Sequence, residues 1–214
     1  MAGNKSSVST PKNTTIRYVQ SNKFEPNNIQ VWVNPINCKG IMGAGLAAFY
    51  RDEFPEMHED YKQRCKREEI LMGQPYLYKK STPWILNFPT KNHWKDRSKL
   101  TDIEQGLQYF VEHAKEWDIQ SIAFPALGCG LGKLAWNKVY PLMRKYLQQL
   151  EGVRVEIFSK DPEPLVEKPI SDFFTSKPTK KRTLITQEKS NSASKKTKIA
   201  EAVVKEESSK TNTL

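Results

Sequence analysis

Apolar positions recur with two different periods along this chain, and the switches between them mark alternating strands and helices. Ile29, Val31 and Val33 alternate with Gln30 and Trp32, the period of a strand built from β-favouring residues. From Leu46 the period changes: Leu46, Phe49, Tyr50 and Phe54 recur at helical spacing until Pro55 stops them. Upstream, Ile16 and Tyr18 alternate against Arg17 within residues 15–20, which predicts a first strand. Residues 56–67 have helical character, with His58, Tyr61 and Cys65 on one face. Tyr76-Leu77-Tyr78 and Trp84-Ile85-Leu86 read as two strands joined tightly through Ser81-Thr82-Pro83, which suits a hairpin. A helix is predicted from Thr101, with Glu104 completing a capping box and Ile103, Leu107, Phe110 and Val111 as its buried stripe. Residues 119–124 make a short apolar strand and residues 153–158 a last one. Between them a helix over residues 136–150 carries Val139, Leu142, Met143, Tyr146 and Leu150 on its apolar side.

This alternation implies an α/β fold in three α/β/α layers, with a mixed, largely parallel central sheet covered on both faces. The strand ending near Asn34 and the helix at Leu46 are joined by a loop holding Gly40, Gly43 and Gly45. A second glycine loop, Gly128-Cys129-Gly130-Leu131-Gly132, follows the strand at Ile119. A glycine loop that opens a helix presents unpaired N–H groups and the positive end of a helix dipole, a seat for phosphate; a tight structural turn is the plainer alternative. The first loop has neither the dinucleotide-fold nor the P-loop spacing. Both loops leave the carboxyl ends of strands, where ligands sit in such sheets, so they are expected to share one crevice.

Charge and composition bound the chain further. The 214 residues suffice for one ordinary domain plus tails, and the net charge of +10 favours an anionic partner: nucleic acid, nucleotide or acidic membrane. Three scattered cysteines, Cys38, Cys65 and Cys129, are too few for a disulfide framework and lack metal-ligand spacing, so no metal and no cofactor are expected. No apolar run approaches a membrane span and the first residues hold no signal-peptide core, so a soluble intracellular protein and no membrane partner are expected. Residues 1–13 are Ser/Thr/Lys-rich and read as disordered, residues 14–160 as the folded domain, and residues 161–214, rich in Lys, Ser, Thr and Pro, as a disordered basic tail.

Val33-Asn34, Asn37, Gly40, Met42-Gly43-Ala44-Gly45-Leu46-Ala47 and Pro125-Ala126-Leu127-Gly128-Cys129-Gly130-Leu131-Gly132 together resemble a macrodomain, the ADP-ribose-binding fold. The stretch Asn87-Phe88-Pro89-Thr90-Lys91, with His93 and Trp94 after it, is similar to the DarG type, antitoxin macrodomains that remove ADP-ribose from thymidine bases in DNA. A related branch, the terminal ADP-ribose protein glycohydrolases, also works through a lysine in this segment. The resemblance implies ADP-ribose contacts from Gly40, Met42, Gly43, Ala44 and Gly45 in the first loop. From the second it implies contacts by Leu127, Gly128, Cys129, Gly130, Leu131 and Gly132. Where macrodomains usually end the first strand in Gly-Asp, this chain has Ser21-Asn22-Lys23, and Asn22 offers a carbonyl to the adenine amine without the charge. Gly132 stands where the protein-directed branch carries an aspartate, as it does in DarG-like sequences.

Hydrolysis at the ribose anomeric carbon passes through an oxocarbenium-like state, and no pair of carboxylates stands out in the loops. Lys91 is the substitute: it can stabilise charge, donate a proton or attack the opened sugar, given a proton affinity lowered by burial or by Lys95 and Arg97. Its plainer role is to counter phosphate. Asn34 and Asn37 are candidates for fixing ribose hydroxyls or a water, against a role in capping the loop. His93 and Trp94 are candidate nucleic-acid contacts, Trp94 by stacking on a base or else by packing in the core. Cys129 reads as a buried filler.

In the tail, Glu167, Ile170, Phe173 and Phe174 resemble the peptide motif that binds the sliding clamp PCNA, with the apolar residues on one face of a helical turn. Lys180-Lys181-Arg182 and Lys195-Lys196 with Lys198 resemble nuclear-import clusters, a generic nucleic-acid tether being the alternative. The expectation is a monomeric nuclear enzyme at replication or repair sites, an ADP-ribosyl glycohydrolase acting on ADP-ribosylated DNA. The rivals are a hydrolase of ADP-ribosylated protein or of ADP-ribose-1″-phosphate, and a non-catalytic ADP-ribose reader.

Overall fold

The computed structural model describes residues 14–165. The segment 1–13, the clamp-like motif at Glu167, Ile170, Phe173 and Phe174, and both basic clusters lie outside the described residues. Ten elements follow one another: β1 (Thr15–Gln20), β2 (Val31–Asn37), α1 (Gly45–Glu53), α2 (Pro55–Lys66), β3 (Tyr76–Tyr78), β4 (Trp84–Lys91), α3 (Leu100–His113), β5 (Ser121–Pro125), α4 (Trp136–Leu147) and β6 (Arg154–Ser159). The strands form one sheet in the order β1-β6-β5-β2-β4-β3, parallel throughout except for the antiparallel edge pair β3–β4, the expected hairpin.

Strand pleating sends alternate side chains to opposite faces, and each face has its own helices. Val31, Val33, Leu86, Phe88, Ile122 and Phe124 meet Ile103, Leu107 and Phe110 of α3 and Val139, Met143 and Leu147 of α4. On the other face Ile36 and Ile85 meet Tyr50 of α1 and Met57 and Tyr61 of α2. That is the three-layer arrangement the periodicity implies.

Two boundaries and one cap differ from the sequence reading. Both central strands run further than predicted, through Pro35 to Asn37 and through Pro89 to Lys91. Proline lacks a donor and normally ends a ladder. Here β2 pairs with β5 only at Val31 and Trp32, so no β5 ladder remains at Pro35 to be broken. The capping box at Thr101 does not form. The helix begins at Leu100 with Lys99 as its cap residue, and no side chain bonds the free N–H groups. Glu104 instead accepts hydrogen bonds from Lys145 and the Tyr146 hydroxyl, each at 2.9 Å, and so ties α3 to α4.

One irregularity positions the site. The β2–β4 register shifts between Ile36 and Asn37, so that Ile36 lies opposite Pro89 but Asn37 lies opposite Lys91. The bulge takes up Thr90, whose hydroxyl donates to the Ile36 carbonyl at 3.3 Å. As a result the two polar residues at the strand ends stand side by side.

Candidate active site

A cleft of about 740 Å³ opens over the carboxyl ends of β5, β2 and β4. Its size falls within the range of roughly 300–1,000 Å³ usual for small-molecule sites. The first glycine loop contributes Gly43, Ala44 and Gly45, and the second contributes Gly128, Gly130, Leu131 and Gly132. From the β2–β4 end come Asn37, Thr90 and Lys91, with Trp94 at the rim. The two glycine loops therefore do share one crevice.

The first loop is built to leave backbone N–H groups unused. α1 opens at Gly45, with φ +61°; its cap residue Ala44 makes no side-chain hydrogen bond, and no acidic residue stands in its first turn. The dipole end and the free N–H groups of that turn thus face a cleft wall without a competing anion. Arg51, one turn further along, donates to the Met42 carbonyl at 3.0 Å and holds the loop to the helix. Across the cleft, the second loop is fixed by close packing. Gly128 has φ +70°, and a Cβ there would lie 2.8 Å from Leu134 and 3.0 Å from Ser98. At Gly132 a Cβ would run into both the Ser98 hydroxyl and the Gly128 carbonyl. Ser98 and Gly132 are also joined by a backbone hydrogen bond of 3.0 Å.

Lys91 is buried, 9 % exposed, and its amine donates to the Leu131 carbonyl at 3.1 Å, linking β4 to the second loop. Among the described residues that line the cleft it is the only ionisable one. Burial lowers its proton affinity below that of an ordinary lysine; Asp96 opposes this and Lys133 reinforces it. The neighbouring cation is therefore Lys133, from the second loop, and not Lys95 or Arg97. Lys95 lies instead over the Trp94 ring at 4.8 Å.

Several residues implied by sequence lie elsewhere. Asn34 is fully buried beneath the cleft and donates to Asn87 at 2.8 Å, so it is a strut between β2 and β4. Asn37 lines the cleft, but its amide donates to the Ile41 carbonyl and its oxygen accepts from the Lys39 N–H at 2.8 Å and the Tyr61 hydroxyl at 3.2 Å. Both ends of that side chain are engaged in shaping the loop. Met42 and Leu127 are core residues, and Asn22, on an exposed bend after β1, is not among the residues that line the cleft. Gly40 borders a neighbouring cavity. His93 stands behind Trp94 with the two rings stacked at 5.2 Å, leaving Trp94 as the ring that faces the cleft. Cys129 packs against the core, and burial pushes its thiol up to about 12, so it offers no thiolate.

Sequence reasoning missed the apolar walls, Ile41, Leu46, Ala47 and Ala126, and missed Ser98 as the residue that closes on Gly132. The walls flank residues already singled out, so their position at strand and helix ends was the available signal. Ser98 had none, since only folding brings it to the second loop.

The Macro domain family matches residues 33–143 of this chain. A curated relative from Thermosipho africanus, a DNA ADP-ribosyl transferase–DNA ADP-ribosyl glycohydrolase fusion protein, is 39% identical over 151 residues, which is 62% of this chain and 39% of that protein. The match spans about two fifths of the length of this relative and of the other relatives named for DNA ADP-ribosyl glycohydrolase activity. Among solved structures, the macrodomain of Thermus aquaticus DarG superposes with a TM-score of 0.64 at 34% identity, over 68% of this chain and 99% of that one. Thermosipho africanus DarTG in complex with ADP-ribose gives a TM-score of 0.58 at 40% identity, over 68% of this chain and 40% of that one. The cleft between two glycine loops and the six-stranded sheet beneath it are thus those of a known fold, and this chain belongs to the macrodomain family.

Proposed function

We propose that this protein is an ADP-ribosyl glycohydrolase that removes ADP-ribose from DNA, with a thymidine-linked adduct as the substrate. The observation that carries the reading is that Lys91, with its lowered proton affinity, is the only ionisable side chain among the described residues that line the cleft. Among the described residues no carboxylate lines the cleft to run a two-carboxylate glycosidase mechanism. The glycine-loop N–H groups seat the diphosphate, which sets the sugar against the β2–β4 end, where Lys91 lies. Its amine then acts at the anomeric carbon as the bond to the base breaks. As free amine it attacks the anomeric carbon while the bonding electrons leave with the base, and one amine proton passes to the base. Water then hydrolyses the sugar–Nζ bond to release ADP-ribose and restore the amine. While protonated, the amine stabilises charge on the departing base.

The choice of DNA over protein rests on the second loop. The protein-directed branch places an aspartate at the position of Gly132, and here even a Cβ at that position would run into Ser98 and the Gly128 carbonyl. Trp94, 48 % exposed at the rim beside Lys91, gives an unstacked base a flat surface. The relatives named for DNA ADP-ribosyl glycohydrolase activity and the ADP-ribose complex support the same reading.

The test is to incubate purified protein with ADP-ribosylated single-stranded DNA and with ADP-ribosylated protein and to follow released ADP-ribose. Release from DNA at a rate at least tenfold above release from protein is expected, a ratio of roughly 1.4 kcal/mol in barrier height. Binding of ADP-ribose without release from either substrate replaces this reading with that of a reader.

A further inference from the structure

We propose that a second, basic cavity beside the cleft takes phosphate groups of the polynucleotide strand that carries the ADP-ribosylated base. This cavity has a volume of about 550 Å³ and lies between the loop after β2, the end of α2, residues 68–71 and Asn92. Three lysines line it, Lys39, Lys62 and Lys66, against one acid, Glu68. The inference rests on nucleic acid being the carrier of ADP-ribose.

The two cavities share a wall. Ile41 lines both, and two consecutive pairs divide between them: Asn37 and Lys91 face the cleft, Cys38 and Asn92 the basic cavity. The dividing ridge is backbone, closed by a hydrogen bond of 3.0 Å from the Cys38 N–H to the Asn92 carbonyl. A chain attached at the sugar beside Lys91 therefore leaves the cleft within one residue's width of this cavity. A base attached to a strand carries a phosphate on either side of its nucleoside, so phosphate arrives where the lysines are.

The charge there is available. Lys62 is paired with Glu59 at 2.8 Å, but Lys39 and Lys66 take part in no ion pair among the described residues. Burial pushes the Cys38 thiol up to about 11 and raises Cys65 as well, so neither becomes a thiolate that would cancel the lysines. No aromatic residue among the described ones lines the cavity, which suits it to backbone rather than base; the aromatic surface, Trp94, is on the cleft side of the ridge. Flexible lysines acting as point charges hold phosphate without reading sequence.

The experiment uses the full chain carrying Lys91→Ala, so that ligand persists and binding is read whether or not the protein is a hydrolase. Affinity is measured for free ADP-ribose, for ADP-ribosyl thymidine, for an ADP-ribosylated single-stranded oligonucleotide and for an ADP-ribosylated acidic peptide, with and without Lys39→Gln and Lys66→Gln. The double substitution is expected to weaken oligonucleotide binding about tenfold at low salt. It should also lower the salt dependence, log K against log[salt], by roughly 1.4, the value for two lost contacts to a single strand. Free ADP-ribose and ADP-ribosyl thymidine should change less than twofold, and Lys39→Arg with Lys66→Arg should keep the wild-type slope. The basic tail is present in every variant and cancels from the difference. Equal losses for free ADP-ribose and oligonucleotide, an unchanged salt slope, or an equal loss for the acidic peptide overturns the inference. Failure of the unsubstituted protein to release ADP-ribose from DNA strikes the proposed activity and leaves these binding results to decide the cavity.

Discussion

A methyl group added at Gly43, in the loop between β2 and α1, would meet nothing closer than Ile41 Cγ2 at 3.6 Å. The same group at Gly132, across the cleft, would run into Ser98 and the Gly128 carbonyl. The first loop keeps its shape through side-chain hydrogen bonds from Asn37 and Arg51, and its small residues leave space for a ligand. The second is held by close packing at Gly128 and Gly132, whose missing side chains leave space for Ser98, Leu134 and the loop's own backbone, together with the Lys91 bond to Leu131. Two stretches that look alike in sequence therefore fail in different ways when altered. Loss of a bond loosens the first, and added volume breaks the second.

The largest stability effect is expected at Gly132. Overpacking against backbone that cannot retreat costs about 3 kcal/mol, or roughly 10 °C in Tm for a domain of this size, so Gly132→Ala should show that fall in thermal unfolding. A fall of less than about 2 °C would mean that the second loop yields, and the contrast between the loops would be lost. Asn37→Ala comes next, at about 1 kcal/mol for the hydrogen bonds removed from the first loop. It should also weaken ADP-ribose several-fold, because the loop that presents the N–H groups is no longer held. Unchanged calorimetric affinity would remove Asn37 from the account of the cleft. The smallest effect is expected at Gly130, where a Cβ meets nothing within 4 Å. Gly130→Ala should leave stability within about 0.5 kcal/mol in denaturant unfolding. A larger loss there would show that the second loop is constrained along its whole length.

The same contrast explains what could be read in advance. Strand and helix periods gave the layers, because Val31, Val33, Leu86 and Phe88 are buried on one face as alternation requires. Strand ends gave the shared cleft, because both glycine loops follow carboxyl ends in a parallel sheet. The bulge at Ile36 and Asn37 was hidden by Pro35 and Pro89, which read as breakers until pairing partners are known. Within the loops, sequence could not tell a wall residue from a core residue, so Met42, Leu127 and Gly40 were grouped with Gly43 and Gly130. Ser98 and the basic cavity were not legible at all, since Lys39, Lys66 and Asn92 meet only in three dimensions.

The central claim is that the Lys91 amine carries the chemistry, and hydrolysis of ADP-ribosylated DNA by Lys91 variants as a function of pH tests it most directly. On the proposed mechanism the N–H groups of the loops hold the diphosphate equally in ground and transition states, whereas the amine acts on charge that develops only as the bond breaks. Lys91→Ala should therefore lower kcat by about 10²–10³ while ADP-ribose affinity stays within several-fold. Burial makes the amine release its proton below the ordinary 10.5, so the free amine appears as pH rises through that lowered value. In the wild-type protein the rate should accordingly change along a limb whose midpoint lies below 10.5. Lys91→Arg, which keeps the charge but does not titrate, should lose both the limb and most of the rate. Wild-type rates with Lys91→Arg would reduce Lys91 to an electrostatic clamp, and wild-type rates with Lys91→Ala would contradict the account outright.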